Sequence, residues 1–350
     1  MMTPKTTSNL HSVKIDYNGA NTATNSSLLS ASVDLDLSTD SRIIGAANGA
    51  GMRIDKFLAS SMPEFSRSRI QKWFDLGVIK INDEPVTQKL KLSGIEIIEV
   101  EPQPHEADQA FEPDPMDIDV VLESDDYLIV NKPAGLVVHP GNGHWRNTLL
   151  NGLLYRDKLF SNLPRAGIVH RLDKDTSGLM VVAKTETCRL ALIDALSRHD
   201  VARNYLALAW GQLPERFTVN QPIGRDAAVK VRMAVSANGK PAVTHFEKVA
   251  DGILSGKPVS LMKVALQTGR THQIRVHCHH IGHGLVGDPV YFTPVHLKHS
   301  QTLSFERQAL HAWRLQFNWQ AREVKADRAL PNDLINLLSK AGIAYDAALE

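Results

Sequence analysis

Residues 170–178 read His-Arg-Leu-Asp-Lys-Asp-Thr-Ser-Gly and lie between two apolar stretches, Ala166 to Val169 and Leu179 to Ala183. Charged and hydroxyl side chains crowded between apolar runs are typical of a functional site. Asp173 is set between an arginine and a lysine, and opposite charges nearby favour the ionised form of a carboxylate. The pattern therefore predicts that Asp173 is available as a nucleophile or a base at neutral pH.

Five further blocks follow one another along the chain around this stretch: Asn131–Gly141, Arg203–Tyr205, Thr268–His277, Val286–Tyr291 and Arg307–His311. With these blocks the chain resembles the RluA-type RNA pseudouridine synthases, whose signature reads His-Arg-Leu-Asp followed by a Thr/Ser-Gly turn. The resemblance covers about Met116 to Trp319. It is strongest to the ribosomal, RluD-type subgroup.

The resemblance implies roles for four catalytic residues. Asp173 would be the nucleophile that attacks the target uridine, at either the base or the ribose. Arg171 would help to extrude the uridine, since a base must leave its stack before an enzyme can reach it. Tyr205 would pack against the flipped uracil and assist proton removal, and Arg275 would form a salt bridge to Asp173. The family requires no metal and no organic cofactor.

Each of these residues also has a plainer interpretation. The charged run could be a surface ion-pair cluster in which Arg171 pairs with Asp175, and Tyr205 could be a strand core residue. Arg275 could be an ordinary surface arginine. The Asp-Lys-Asp segment also resembles the Asp-x-Asp of aspartyl-phosphate enzymes, but that chemistry places its first Asp at the end of a hydrophobic strand, and here His170 and Arg171 intervene.

Histidines are frequent between residues 272 and 283, and His279 and His283 have the i, i+4 spacing of helical zinc ligands. No Glu occupies the catalytic place of such a motif, so the metal interpretation is disfavoured. Thr271 is expected to cap a short helix that ends at Gly282. In the catalytic domain we expect contacts to RNA from the following residues: Lys132, His170, Thr271, His272 and Gln273.

Residues 52–100 predict a small module. Apolar residues recur at i, i+3 and i+4 from Ile54 and again from Ile70, which indicates two short helices, the second capped by Ser66. Residues 78–81 then predict a strand. The arrangement resembles the S4 RNA-binding domain, in which basic residues face structured RNA, although a solvated helix face is the alternative. The basic residues in question are Arg67, Arg69 and Lys72.

Composition sets the other boundaries. Residues 1–51 are rich in Ser, Thr, Asn, Ala and Gly, which predicts a disordered tail. Residues 101–115 predict an acidic, proline-rich linker that phosphates would repel. Residues 116–350 alternate strand-like and helical runs without βαβ regularity, so we expect an α+β catalytic domain around a mainly antiparallel sheet, beside the small α/β S4-like domain.

The global charge of +1 gives no support for nucleic-acid binding, so any affinity must come from local basic surfaces. Two cysteines far apart in sequence predict neither a disulfide framework nor a zinc ribbon. No apolar run reaches the length of a membrane span and the amino terminus lacks a secretory pattern. We expect a cytoplasmic monomer without membrane contact.

The sequence as a whole predicts an enzyme that isomerises uridines to pseudouridine in structured RNA. Large-subunit (23S) ribosomal RNA, alone or in a pre-ribosomal particle, is the expected substrate, because the S4-like module accompanies that target in the RluD-type subgroup. Two alternatives are a synthase that acts on transfer RNA and a non-catalytic RNA-binding factor in ribosome assembly. Binding alone would not require a carboxylate that faces phosphates, which argues against the last alternative.

Overall fold

The computed structural model describes residues 41–103, 109–141, 143–229, 232–294, 296 and 303–344. They fall into two compact units, the smaller ending at Gln103. Most of the expected disordered tail, residues 1–40, lies outside the described residues. Within the described ranges no helix is long and apolar enough to cross a membrane.

The small unit contains the two predicted helices, α1 (Ile54–Ser61) and α2 (Arg67–Asp75). The Ser66 side chain accepts a hydrogen bond from the backbone N–H of Arg69 at 3.3 Å, which caps α2 as the sequence indicates. The apolar residues of both helices pack into one core against an antiparallel sheet. The strands, in sheet order, are β1 (Arg42–Gly45), β4 (Ile97–Val100), β2 (Ile79–Ile81) and β3 (Glu84–Pro85).

Both boundaries of this unit differ from the prediction. Strand β1 lies in the predicted tail, yet it pairs with β4 along its whole length, because strand pairing joins segments that composition treats separately. In the predicted linker, Asp114 is only 5% exposed, pairs with Arg146 and accepts a hydrogen bond from the backbone N–H of Asn147 at 2.7 Å. Residues 109–115 therefore belong to the large unit.

The large unit is built on a nine-stranded sheet whose order is β5-β6-β7-β14-β8-β13-β12-β9, with β15 also paired to β14. Every described pairing in it is antiparallel except that of β7 with β14. A separate hairpin joins β10 (Ile223–Arg225) to β11 (Met233–Val235). The strands of the large sheet are β5 (Val120–Glu123), β6 (Tyr127–Lys132), β7 (Ser177–Ala183), β8 (Ala202–Trp210), β9 (Arg216–Asn220), β12 (Val243–Leu254), β13 (Lys257–Leu266), β14 (Leu310–Trp319) and β15 (Arg322–Asp327).

Helices cover the sheet on both faces, which confirms the α+β class. Along β6 and β7 alternate residues enter different cores, one containing Leu149 of α3 and Ile274 of α5, the other Cys188 of α4. A third core packs α6 against β8 and β13. The helices are α3 (Leu149–Arg156), α4 (Glu186–Ser197), α5 (Gln273–His280) and α6 (Asn332–Lys340).

Gly178 makes the parallel junction of β7 with β14 possible. Its φ is +118°, and a Cβ atom at this position would lie 2.2 Å from the carbonyl oxygen of Ala312. The glycine is thus required for close approach of two backbones. Residues 170–176 lie directly before β7, a strand that is buried along its whole length.

Candidate active site

A cleft of about 820 Å³ opens in the large unit beside the loop that precedes β7. Five of the six sequence blocks contribute to its walls, since residues 139–140, 168–173, 203, 205, 268–275 and Leu310 line it. The cleft is markedly basic, although the chain as a whole is nearly neutral. Its basic side chains are Arg165, Arg171, Arg203, Arg270 and Arg275, together with four histidines, His139, His170, His199 and His272.

Asp173 lies in this cleft with its side chain 14% exposed, and Arg275 holds it. The Arg275 Nη1 donates to Asp173 Oδ2 at 3.0 Å, as the resemblance implies. Arg275 is itself only 4% exposed, which excludes the surface-arginine interpretation. Its Nε and Nη2 donate to the two oxygens of Asp288 at 2.7 and 2.9 Å. The guanidinium therefore joins a buried anchor to a carboxylate that faces the cleft.

Asp288 is a site residue to which the sequence assigned no role. Its Oδ1 also accepts hydrogen bonds from the backbone N–H groups of Val290 and Tyr291, each at 2.9 Å. A buried carboxylate needs this many donors to offset the loss of water. The signal was present in the Val286–Tyr291 block, but a sequence does not show which arginine a buried carboxylate will meet.

His272 approaches Asp173 from the other side, with its Nε2 3.9 Å from Asp173 Oδ1. Its Nδ1 lies 2.8 Å from the hydroxyl of Tyr291, and that hydroxyl accepts from the backbone N–H of Met233 at 2.8 Å. The Tyr291 hydroxyl can donate its own proton to His272 Nδ1. Burial lowers the pKa of His272, which favours the neutral ring.

The block that ends the resemblance holds the catalytic loop in place. Arg307 donates to the carbonyl of Asp175 at 3.2 Å, and Gln308 Nε2 donates to Thr176 Oγ1 at 2.9 Å. His311 Nδ1 lies 2.9 Å from the hydroxyl of Ser177. Sequence reasoning assigns Arg307 and His311 no chemical role; in the structure they hold the segment that follows Asp173.

Lys132 supports the same loop from inside the protein. Its ammonium donates to three backbone carbonyls, those of Pro133, Leu136 and Lys174, at 2.8 to 2.9 Å. The residue is 1% exposed, and burial lowers its pKa to about 7. Lys132 was expected to contact RNA, but it is enclosed and fully engaged, so this expectation is corrected: the residue shapes the loop.

Tyr205 and Arg171 present opposite kinds of surface to the cleft. Tyr205 is buried in β8, and burial raises the pKa of its phenol, so it is neutral at pH 7 and is not a ready proton acceptor. Arg171 is exposed at the cleft and, among the described residues, makes no ion pair with Asp175 or any other carboxylate. The aromatic side chain and the exposed cation thus both line the cleft.

The remaining expected RNA contacts of the large unit fall in different places. Thr271 is exposed at the cleft, but it does not cap α5, because that helix begins at Gln273 and has His272 at its N-cap in a left-handed conformation. Gln273 is 3% exposed, and its amide hydrogen-bonds to neighbouring strands, which corrects its expected role. His170 lines the cleft while its Nε2 accepts from the backbone N–H of Val181 at 3.0 Å.

In the small unit the basic residues of α2 differ in environment. Arg67 is about half exposed and donates to Asp55, a fully buried carboxylate, at 2.6 Å. The Arg69 guanidinium packs over the rings of Phe65 and Trp73, with centroid distances of 4.8 and 5.6 Å. Lys72 is exposed. All three are on the helix that the sequence predicted.

The described residues contain no group of three or more His, Cys, Asp or Glu side chains placed to hold a metal ion. His283, one member of the i, i+4 pair, directs its Nδ1 to the carbonyl of Trp210 at 2.7 Å. Both cysteines are buried, and burial raises the pKa of the Cys188 thiol to about 12. Neither thiol is a ready ligand or nucleophile.

Residues 126–280 match the family model described as RNA pseudouridylate synthase. A ribosomal large subunit pseudouridine synthase D of Neisseria meningitidis serogroup A is 46% identical over 298 residues, which cover 83% of this chain and 79% of that protein. The protein of the same name from Escherichia coli K12 is 41% identical, covering 83% of this chain and 91% of its own length. Among solved structures, the human RNA pseudouridylate synthase domain containing 1 is 28% identical and superposes with a TM-score of 0.52, covering 65% of this chain and 87% of that one.

Proposed function

We propose, since this chain belongs to the RNA pseudouridylate synthase family, that it converts specific uridines of large-subunit ribosomal RNA to pseudouridine, with Asp173 as the nucleophile. The observation that carries the proposal is the buried chain Asp288–Arg275–Asp173. It holds one carboxylate in a fixed orientation in a basic cleft. That is the arrangement a covalent mechanism requires of a carboxylate nucleophile.

The reaction is an isomerisation, so atoms balance within the nucleotide. The bond from ribose C1′ to uracil N1 breaks and a bond from C1′ to C5 forms. The proton of C5 is lost, and N1 carries a proton in the product. Asp173 Oδ2 is held by Arg275, whereas Oδ1 is 3.9 Å from His272 and accepts no described hydrogen bond. Oδ1 is therefore the oxygen that adds to the base or to the ribose.

The cleft also provides for extrusion of the nucleotide. A uridine in a stacked helix cannot reach Asp173, so it must be flipped out, at a cost of a few kcal/mol. Arg171, exposed and without an ion-pair partner among the described residues, can enter the gap that the base leaves. Tyr205 offers an aromatic face to the flipped uracil. Its neutral phenol fits a packing role better than proton removal.

The choice of ribosomal RNA rests on the relatives, whose names specify the ribosomal large subunit. The exposed basic residues of α2 suit an RNA-docking role for the small unit, in the manner of an S4 domain. We place the protein, as a monomer, with the cytoplasmic ribosome or its precursors. Its solvent-facing arginines would give an affinity that falls as salt rises.

The test is pseudouridine formation on in vitro transcribed large-subunit ribosomal RNA, with modified sites mapped by carbodiimide-stop primer extension. We expect stops with the native protein and none with Asp173→Asn, whose amide cannot act as a carboxylate nucleophile. Asp194→Asn is the matched control, since Asp194 is an exposed carboxylate on α4 that pairs with Arg198. Parallel reactions in EDTA ask whether a divalent metal participates.

Stops that persist in Asp173→Asn would overturn the assigned nucleophile. Stops on transfer RNA but not on ribosomal RNA would preserve the chemistry and replace the substrate. Absence of stops on both RNAs and on precursor subunits, with RNA binding intact, would favour a non-catalytic factor in ribosome assembly.

A further inference from the structure

Arg203 is a buried cation without a partner. It stands on β8 two residues before Tyr205, lines the cleft and is 9% exposed. Its Nε is enclosed and has no hydrogen-bond partner, and no carboxylate among the described residues lies within 4 Å of its guanidinium. Arg275, buried to a similar degree in the same cleft, pairs with two carboxylates.

Such a residue is costly for the fold. An arginine cannot become neutral in a protein, and an uncompensated buried charge costs several kcal/mol. The neighbouring His170 cannot compensate this charge, because an imidazole supplies no negative charge; burial and the nearby Arg203 lower its pKa to about 3. Asp173 already has Arg275 as its partner. No described carboxylate is left to pair with Arg203, so its guanidinium is open to an anion that enters the cleft.

Gly269 makes room for this guanidinium. A Cβ atom on Gly269 would lie 2.5 Å from Arg203 Nη1, a distance at which one of the two groups must move. The backbone of Gly269 does not have the positive φ that by itself selects glycine. Glycine at this position therefore leaves open the recess that the guanidinium occupies.

We propose that Arg203 forms an internal phosphate-binding subsite, which takes a non-bridging oxygen of an RNA phosphodiester adjacent to the extruded uridine. The inference rests on the proposed function, because it assumes that RNA fills this cleft. Phosphate is the only anionic group of the nucleotide, and arginine binds phosphate with two parallel hydrogen bonds. Arg203 would thereby hold the backbone on one side while Asp173 reacts with the nucleoside.

The first measurement is RNA affinity in the Asp173→Asn background, which removes turnover. Oligouridylate is titrated over a range of KCl concentrations. Replacing Arg203 by Met should raise Kd roughly 10- to 100-fold, the usual effect of losing a charged hydrogen bond. It should also lower the slope of log Kd against log salt by about 0.7, the value for one phosphate of a single strand. Arg203→Lys should restore the slope, since it keeps the charge.

The second measurement locates the phosphate. A ribosomal RNA fragment containing the target uridine carries one uncharged methylphosphonate at a time beside that uridine. At one position the methylphosphonate should weaken RNA binding by the protein that retains Arg203. The same methylphosphonate should not weaken binding by Arg203→Met any further. Arg216→Met is the control: Arg216 is 78% exposed on β9, pairs with Glu247 and should leave the methylphosphonate profile unchanged.

Three results would overturn the subsite. One is an Arg203→Met protein whose Kd for RNA and whose salt slope equal those of Arg216→Met. Another is an Arg203→Met protein that binds RNA more weakly but still loses affinity at every methylphosphonate position. The third concerns Gly269→Ala, which crowds the guanidinium without removing its charge: a melting temperature near that of the parent and unchanged affinity would show that the recess has no role in binding. A slope that responds to Arg203→Met, with no pseudouridine formed on any RNA, would keep the subsite and overturn the proposed function.

Discussion

Asp288→Asn should show what Asp288 contributes by holding Arg275, because it leaves Asp173 itself unchanged. Asp288 is fully buried and accepts four hydrogen bonds, two from Arg275 and two from the backbone N–H groups of Val290 and Tyr291. Three of the four end on Oδ1, which the amide oxygen of Asn can replace. The fourth, from Arg275 Nε to Oδ2 at 2.7 Å, would instead meet an amide NH₂.

The substitution therefore leaves the turn intact but places two donors face to face and removes the buried negative charge. Breaking one side of a buried pair typically costs about 3 to 5 kcal/mol, and we expect a loss of that size in the free energy of unfolding. Arg275 would also lose the support that aims it at Asp173. A misplacement of roughly 1 Å in a catalytic group can cost about 100-fold in rate, so kcat should fall by up to that factor.

The assay is single-turnover release of tritium from RNA labelled at uracil C5, since that hydrogen is lost when the new bond forms. Urea unfolding gives the stability in parallel. The control is Asp327→Asn, because Asp327 pairs with Arg314 at a partly exposed position where an ion pair contributes less than about 1 kcal/mol. Wild-type kcat in Asp288→Asn, with a stability loss no larger than that of Asp327→Asn, would refute the anchor.

Three further predictions concern packing and protonation. Gly178→Ala should lower the free energy of unfolding by at least about 2 kcal/mol, because the new Cβ would lie 2.2 Å from the carbonyl oxygen of Ala312 and φ is positive. Gly135→Ala is the control, since Gly135 has a positive φ but open space around it. It should cost about 1 kcal/mol in the same urea titration. Burial lowers the pKa of His170 to about 3, so below pH 6.5 the unfolded chain binds a proton that the folded chain does not. The free energy of unfolding should therefore fall by about 1.4 kcal/mol per pH unit from pH 6.5 towards pH 3. His170→Gln should flatten that dependence, and an unchanged slope would contradict the prediction. Tyr205→Phe should keep kcat within roughly tenfold, because a neutral phenol that packs on the base is not a general base, whose loss costs about 100-fold or more.

The sequence predicted those elements whose signals are local. The i, i+3, i+4 spacing from Ile54 and from Ile70 found both helices of the small unit, and Ser66 marked the start of the second. The pairing of β1 with β4 was missed because hydrogen bonding between segments about fifty residues apart leaves no mark on composition. The order of the large sheet was beyond prediction for the same reason.

For the site, the sequence predicted which residues take part but not how buried or hydrogen-bonded each side chain is. The pair of Asp173 with Arg275, expected from the resemblance, is present in the structure at 3.0 Å. Lys132 and Gln273 are expected to contact RNA because both lie in blocks that resemble the family. Both are enclosed and hydrogen-bonded to backbone carbonyls, and whether a long polar side chain turns inward depends on acceptors that other segments bring to it.

The loop around Asp173 shows why a catalytic segment can be short and still be fixed. It has no helix of its own, and Asp175, Thr176 and Ser177 are held through hydrogen bonds from residues about 130 positions later, which reach it only because β14 joins β7 in parallel. That pairing depends in turn on Gly178, where two backbones nearly touch. The strands therefore support Asp173 from one side, while Arg171 is exposed at the cleft. A loop fixed on one side and open on the other is what flipping a nucleotide onto a stationary carboxylate requires.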